Sequence, residues 1–431
     1  MLPGPRIIVI DDNLTHLQQL AEGLGVDGIG CLQVYFTGDP DVVRNCPQVR
    51  VIFADLHLND SAANTDNAAH FALIGSLLEN RIVPAGPYVL ILWTRYAKQA
   101  EALKAYLERL ETVPKPFAVK ALDKNIHLKD DKVVDAAKLI AEIKSVLDGQ
   151  PQIAALFNWE ERVYEAAANT VSELATLALR GKSPDQREAS LARLLALLAV
   201  ASVGKNNVEQ DRFRAVNGAL LPILADRISV LKLRPKDGTV WQNAFPLAAE
   251  DERVSTDDAA SLNSLLHLST QNDIGQSSEP GAVIAFREDL IGQSFLSQFG
   301  FAEAALASEQ FYCNEYVEDP ARFRWMLVQI QAACDYAQRK PGTIPFALAL
   351  ELPTAQVKRG TKAQALWSSP PFRIDNRTAQ LHVHSCFQVH LPASRLAEIQ
   401  SLYRIREQLL RDLTFKVQSH CMRPGITSFH P

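Results

Sequence analysis

Residues 6–12 read Arg6-Ile7-Ile8-Val9-Ile10-Asp11-Asp12, an apolar run that stops on two adjacent carboxylates. Two later segments end the same way. Val49-Arg50-Val51-Ile52-Phe53-Ala54 stops at Asp55, and Tyr88-Val89-Leu90-Ile91-Leu92-Trp93 stops at Thr94. Each reads as a strand, and helical patterns lie between them, so an α/β domain with a parallel sheet is expected. A short segment, Thr112-Val113-Pro114, leads into Lys115-Pro116-Phe117 and reads as the last strand. Open parallel sheets bind ligands outside the carboxyl ends of their strands. Asp11, Asp12, Asp55, Thr94 and Lys115 are therefore expected to converge at one edge.

Three carboxylates, a hydroxyl and an ammonium suit a divalent cation and a phosphoryl group. Mg2+ is a hard ion that prefers oxygen ligands and keeps several waters. Asp12 and Asp55, with a backbone carbonyl near His57, would supply its protein ligands, and Asp11 would hold it directly or through water. The cation would screen repulsion between the carboxylates and an incoming phosphate. Asp55 would attack as nucleophile and form an acyl phosphate. Thr94 would hydrogen-bond a phosphoryl oxygen, and Lys115 would pair with the new charge.

The order Asp-Asp, Asp, Thr, Lys-Pro-Phe resembles the receiver domain of two-component response regulators, over about residues 5–148. The resemblance implies a flavodoxin-like fold with sheet order 2-1-3-4-5. It also implies phosphorylation of Asp55 by a histidine kinase or phosphotransfer protein. Several positions depart from the pattern. Arg95 follows the switch threonine where receivers usually carry a small residue. The segment from Asp55 to Thr94 is longer than usual, with the excess assigned to the polar stretch 58–67. Pro114 precedes Lys115 and needs an edge strand, which the fifth strand is. The usual Pro and Gly after the phosphorylated Asp are absent. No aromatic stands at the usual switch position, and Tyr96 and Trp93 are the nearest substitutes.

Composition narrows the remaining classes. The chain has 431 residues, 47% hydrophobic and 22% charged, with 44 basic and 49 acidic side chains and a net charge of −5. That length allows two or three domains. No basic run stands out, so a DNA-binding output is not expected. The six cysteines are scattered without paired spacing, which argues against a disulfide framework. No charged, then apolar, leader opens the sequence. Leu194 to Val203 is the most apolar helix candidate and too short to span a bilayer. A reducing cytoplasm is the expected setting.

Three regions are expected: a receiver domain over 1–150, a helical region over 151–275 and an α+β output domain over 276–431. In the first, strand two is placed at Cys31–Phe36 and helices at 70–79, 97–110 and 133–147. In the second, helices are read at Phe157–Arg180, after Ser183-Pro184-Asp185-Gln186 (a capping box), at Val208–Leu231 with Pro222 inside, and at Asp257–Leu268. The helix after the capping box is apolar around much of its girth and is expected to be buried between neighbours. Such helices commonly make bundles that dimerise, so a homodimer is an expected assembly. Residues 269–280 read as a polar linker. Beyond them, Ala282–Phe286, Trp325–Ile330, Ile344–Leu352 and Leu381–Leu391 read as strands, and Ala393 to about Gln418 as one long helix.

Two weaker constellations lie in the last region. His382, His384 and Cys386 share one strand face, because strand side chains repeat every two residues. His390 has the same parity, and His420 and Cys421 would complete a zinc site. Cys334 and Asp335 follow a strand, and Cys334 with His384 as base would form a nucleophile–base pair. The leading expectation is a signalling protein that is phosphorylated on Asp55 and contacts a downstream protein effector, as an adaptor or phosphate sink. The alternative is a receiver-regulated enzyme with its site near Cys334, His382 and His384.

Overall fold

The run that opens the sequence forms β1 (Ile7–Asp11) in the computed structural model, and Val9 and Ile10 within it are buried. The structure describes residues 4–58, 67–245, 254–270, 275–291, 301–358 and 364–422. Most of the polar stretch 58–67, part of the expected linker and the residues after Met422 lie outside that set. The described residues form two compact units, 1–173 with 224–248, and 174–223 with 249–431. The helical stretch expected over 151–275 is thus divided between them.

In the first unit, α1 (Leu14–Val26), β2 (Leu32–Tyr35), β3 (Val51–Ala54), α2 (Asn67–Leu77), β4 (Val89–Thr94), α3 (Ala100–Arg109) and β5 (Ala118–Asp123) follow β1. The sheet order is β2-β1-β3-β4-β5, with every pairing parallel, as expected. Asn13 starts α1 by accepting hydrogen bonds from the backbone N–H groups of Thr15 and His16. One face of the sheet packs Ile8, Ile52, Leu90 and Leu92 against Ile74 and Leu103. The other packs Val9, Phe53, Ile91 and Trp93 against Leu17, Leu20, Leu139 and Ile143. The strands are therefore buried on both faces, which explains their continuous apolar runs.

The fifth strand departs from expectation. It lies after Lys115-Pro116-Phe117, not before it. Pairing begins where the Phe117 N–H donates to Tyr88 O, and the ladder then matches Val89 to Ala118 through Thr94 to Asp123. Pro114 and Pro116 have no N–H to give a ladder, so the strand starts beyond them. After β5 come α4 (Lys124–His127), the small hairpin β6 (Leu128–Lys129) with β7 (Lys132–Val133), and α5 (Ala136–Asp148).

The next elements are α6 (Pro151–Leu179), α7 (Arg187–Val203), α8 (Arg212–Val230), α9 (Pro235–Ala244) and α10 (Thr256–His267). Gly181 takes a φ of +69° just beyond α6, the left-handed conformation common after a helix end. The Ser183 capping box forms, and Pro222 sits inside α8. The expected burial of α7 is not met. Among its residues only Ala199 is buried, and Leu197 and Val200 are exposed.

The second unit holds an antiparallel sheet. Its strands are β8 (Leu268–Ser269), β9 (Ala282–Ala285), β10 (Arg324–Gln329), β11 (Thr343–Pro353), β12 (Leu366–Ser368), β13 (Phe372–Ile374), β14 (Arg377–Pro392) and β15 (Tyr403–Ile405). The order is β12-β14-β11-β10-β9-β15-β8, with β13 also paired to β14. Short helices α11 (Glu288–Ile291), α12 (Glu303–Glu309), α13 (Ala333–Ala337) and α14 (Ala393–Leu396) lie in its connections, and α15 (Glu407–Cys421) follows β15. The long helix expected from Ala393 is therefore two helices with a strand between them. Tyr403 and Ile405 are fully buried while Arg404 between them is not, and their backbones pair with β9 and β8.

Both faces of this sheet are covered. Leu327, Phe346, Leu348 and Leu350 pack with Leu306 and Phe311, while Met326, Val328, Ala347 and Ala349 pack with Leu409, Leu413 and Val417 of α15. Glu351 ends the second face and is 1% exposed. Its carboxylate accepts from Arg324 Nε (2.9 Å), Arg377 Nη2 (2.5 Å) and the Tyr403 hydroxyl (3.1 Å), so a buried charge is matched by two cations and a hydroxyl.

Candidate functional site

The carboxyl edge of the parallel sheet gathers the acidic residues. Asp11 is the last residue of β1 and fully buried, Asp12 follows it, and Asp55 follows β3. Backbone bonds fix these strand ends. Asp55 N–H donates to Ile10 O at 2.9 Å, and Phe36 N–H donates to Asp11 O at 2.9 Å. The side chains are fixed in turn. Asp11 Oδ1 accepts from Asn13 N at 2.8 Å, and Asp55 Oδ1 from His57 N at 3.3 Å. Carboxylate oxygens of Asp11, Asp12 and Asp55 lie within 4.8 Å of one another. Among the described residues, no other group of three His, Cys, Asp or Glu side chains converges so closely.

The ammonium at this edge comes from Lys124, the residue after β5. Its Nζ stands 2.7 Å from Asp11 Oδ2 and 2.5 Å from Asp55 Oδ2, and the side chain is buried. Asp123 caps α4 by accepting from Asn125 N at 2.8 Å, which turns the chain at that point. Lys115, expected in this role, lies at the opposite end of β5. Its Nζ donates to the carbonyls of Leu107 (2.7 Å), Glu108 (3.2 Å) and Leu110 and so closes the carboxyl end of α3. The expectation rested on Lys-Pro-Phe ending a strand, and the two prolines place it before one. The signal for Lys124 was available in Ala118-Val119-Lys120-Ala121-Leu122-Asp123, an apolar strand broken by one exposed lysine and ending in a capping residue.

Thr94 ends β4 and is fully buried, and its hydroxyl accepts from Tyr96 N at 3.2 Å. Tyr96 stacks on His57 with ring centres 3.8 Å apart, and His57 stacks on His70 at 4.0 Å. This stack joins the turns after β3 and β4 to α2. Trp93 is fully buried in the core. Arg95 makes its ion pair with Asp131, beyond β5. Its Nη2 donates to Asp131 Oδ1 at 3.0 Å, and that oxygen is also 2.8 Å from His16 Nε2. These contacts, the histidine first and the guanidinium after it, hold the Asp131 carboxyl below its ordinary range.

Burial dominates the Asp11 carboxyl and raises its pKa to about 6, with Lys124 opposing the shift and Asp55 adding to it. The donor set is all oxygen, clustered and anionic, which fits a hard divalent ion such as Mg2+. Asp11, Asp12 and Asp55 would hold the ion.

The C-terminal candidates do not form a comparable centre. Cys386 Sγ is 3.4 Å from His420 Nε2, and Cys421 Sγ donates to Ser385 O at 3.7 Å. His382 is fully buried with Nδ1 2.5 Å from Phe311 O, and His390 Nδ1 is 3.4 Å from Thr343 Oγ1. His384 accepts from Cys386 N at 3.3 Å, and burial, reinforced by His420, lowers its pKa to about 4. Cys334 is exposed and donates to Asp335. His382, His390 and Cys334 thus serve separate local contacts, and although Cys386, His384, His420 and Cys421 lie near one another, no three of their ligand atoms converge as those of the acidic cluster do.

No helix among the described residues is long and apolar enough to cross a membrane. No family model matches the chain, and no curated protein or solved structure matches it. The structure therefore establishes a parallel five-stranded α/β sheet with a cluster of three carboxylates and a buried lysine at its carboxyl edge.

Proposed function

We propose that the first unit is a receiver-like phosphoacceptor, with Asp55 as the residue that takes the phosphoryl group. The observation that carries this reading is the Lys124 ammonium bridging Asp11 and Asp55 beside Asp12. Asp55 is partly exposed, so a donor can reach it, whereas Asp11 is fully buried. In this reading Asp55 Oδ attacks phosphorus and the donor's leaving group departs with the bonding pair. Asp11, Asp12 and Asp55 would hold Mg2+, which would supply positive charge beside the phosphoryl oxygens, and the Lys124 ammonium would offset the rest. In this reading the Thr94 hydroxyl, at the neighbouring strand end, would donate to one of those oxygens while its own oxygen accepts from Tyr96 N–H. The donor would be a histidine kinase or phosphotransfer protein. The output would be a contact with a protein effector, in a reducing cytoplasm that suits the free cysteines.

The test is intact-mass spectrometry after incubation with a small phosphodonor and Mg2+. One added phosphoryl group in the wild type and none in Asp55→Asn is the expected result. Equal uptake by Asp55→Asn would remove Asp55 from the role.

A further inference from the structure

A cleft of about 450 Å3 opens in the second unit, between the carboxyl end of α7, the first half of α8 and the residues around β15. Small-molecule sites commonly fall in the range of about 300–1,000 Å3. Its apolar wall includes Val203, Leu221, Pro222, Pro280, Ala337 and Leu410. Gly218 lets α8 approach α7 at the cleft, since a Cβ there would stand 2.7 Å from Ser202 Oγ.

Three guanidiniums and three carboxylates also line it: Arg214, Arg339 and Arg404, with Asp211, Glu279 and Glu407. The carboxylates already have partners. Glu279 Oε1 accepts from Arg214 Nη1 at 2.9 Å, Asp211 Oδ1 accepts from Arg214 N at 2.8 Å, and Glu407 pairs with Arg411. Arg214 is further engaged, with its guanidinium 5.2 Å from the centre of the Tyr336 ring.

The other two arginines keep donors in reserve. Arg404 Nε is 4.0 Å from Glu279 Oε2, beyond hydrogen-bonding reach, and its Nη2 meets the Ser269 hydroxyl at 3.4 Å. Arg339 is exposed and forms no ion pair among the described residues. Each guanidinium has five N–H donors and no acceptor. Two such groups lining a cleft with an apolar wall favour a ligand with an anionic head and an apolar body.

We propose that this cleft binds an amphipathic organic anion, with its carboxylate or phosphate head on Arg339 and Arg404 and its body against Val203, Leu221 and Leu410. The charge-assisted bonds fix the head, and the wall contributes in proportion to the apolar area covered. The site is separate from the carboxylate cluster and stands whether or not Asp55 is phosphorylated.

The experiment is isothermal titration calorimetry of the full chain with octanoate, octyl phosphate and octanol. Both anions, or the one whose head fits, should bind about tenfold or more tightly than octanol, with affinity falling as salt rises. Arg339→Gln with Arg404→Gln should remove that advantage and leave octanol unchanged, and Leu221→Trp should weaken all three probes. The single variant Arg339→Gln, at an exposed side chain, serves if the double variant loses its native circular dichroism. Octanol binding as tightly as the anions, anion affinity unchanged in the arginine variants, or no binding of any probe would overturn the proposal.

Discussion

Replacing Lys124 should separate the two candidate lysines. Lys124→Ala removes the one ammonium that stands between Asp11 and Asp55, at 2.7 and 2.5 Å. The side chain is 2% exposed and Asp11 is fully buried, so water cannot substitute freely for the lost charge. Removing one member of a buried ion pair typically costs about 3–5 kcal/mol. For a unit of this size that corresponds to a fall in Tm of roughly 6–20 °C. Lys115→Ala removes contacts to the last carbonyls of α3, most of them exposed, worth about 1 kcal/mol or less. The assay is thermal and urea unfolding of both variants by circular dichroism, without Mg2+. A third variant tests the cause. In an Asp55→Asn background, Lys124→Ala should be milder, because one of the stranded carboxylates has been neutralised. Equal losses for Lys115→Ala and Lys124→Ala, or a Lys124→Ala loss that Asp55→Asn leaves unchanged, would refute the reasoning.

Acid should act on the same cluster with a defined sign. The Asp11 carboxyl titrates at about 6 in the fold and near 3.8 when exposed, so its contribution is full below pH 3.8 and is lost as pH rises through 6. That loss is about 3 kcal/mol between the two limits. Urea melts from pH 4 to pH 7.5 should show it in wild type, and an unchanged profile in Asp11→Asn would assign it elsewhere. Mg2+ binding needs the ionised carboxylate, so its affinity should fall below pH 6, as calorimetry can read. In the second unit, Glu351→Ala should cost about 3–5 kcal/mol by stranding Arg324 and Arg377, whereas restoring shape without charge in Glu351→Gln should be less severe. Equal melts for the two variants would discount the charge.

The sequence revealed three of the four strand ends at the site. The β1, β3 and β4 runs are buried on both faces, so each appears as unbroken apolar residues that stop where the chain leaves the sheet. The β5 end was hidden because the strand is amphipathic, with Lys120 exposed, and because Lys-Pro-Phe offers an earlier lysine in a familiar setting. From the sequence alone Tyr403 and Ile405 fit a helix, since apolar residues before and after them follow a period of 3.6. What makes them a strand is pairing with β9 and β8, more than a hundred residues earlier, which no local pattern carries. The carboxylate cluster was legible because each Asp sits next to an apolar run. The cleft on the second unit was not, since Arg339 and Arg404 line one cleft only through the packing of distant segments.

The lysine bridge also bears on how the first unit assembles. Lys124 is 113 residues from Asp11 and 69 from Asp55. Contacts of such long range must close large loops before they return any stabilisation, and chains dominated by them fold slowly. On a growing chain, β1 and β3 emerge first and bring carboxylates toward one edge with no internal countercharge. The sheet's carboxyl edge receives this countercharge only after β5 has been made and the next residue has left the ribosome. A fragment ending at Asp123 would carry all five strands and still lack the group that holds their acidic ends together.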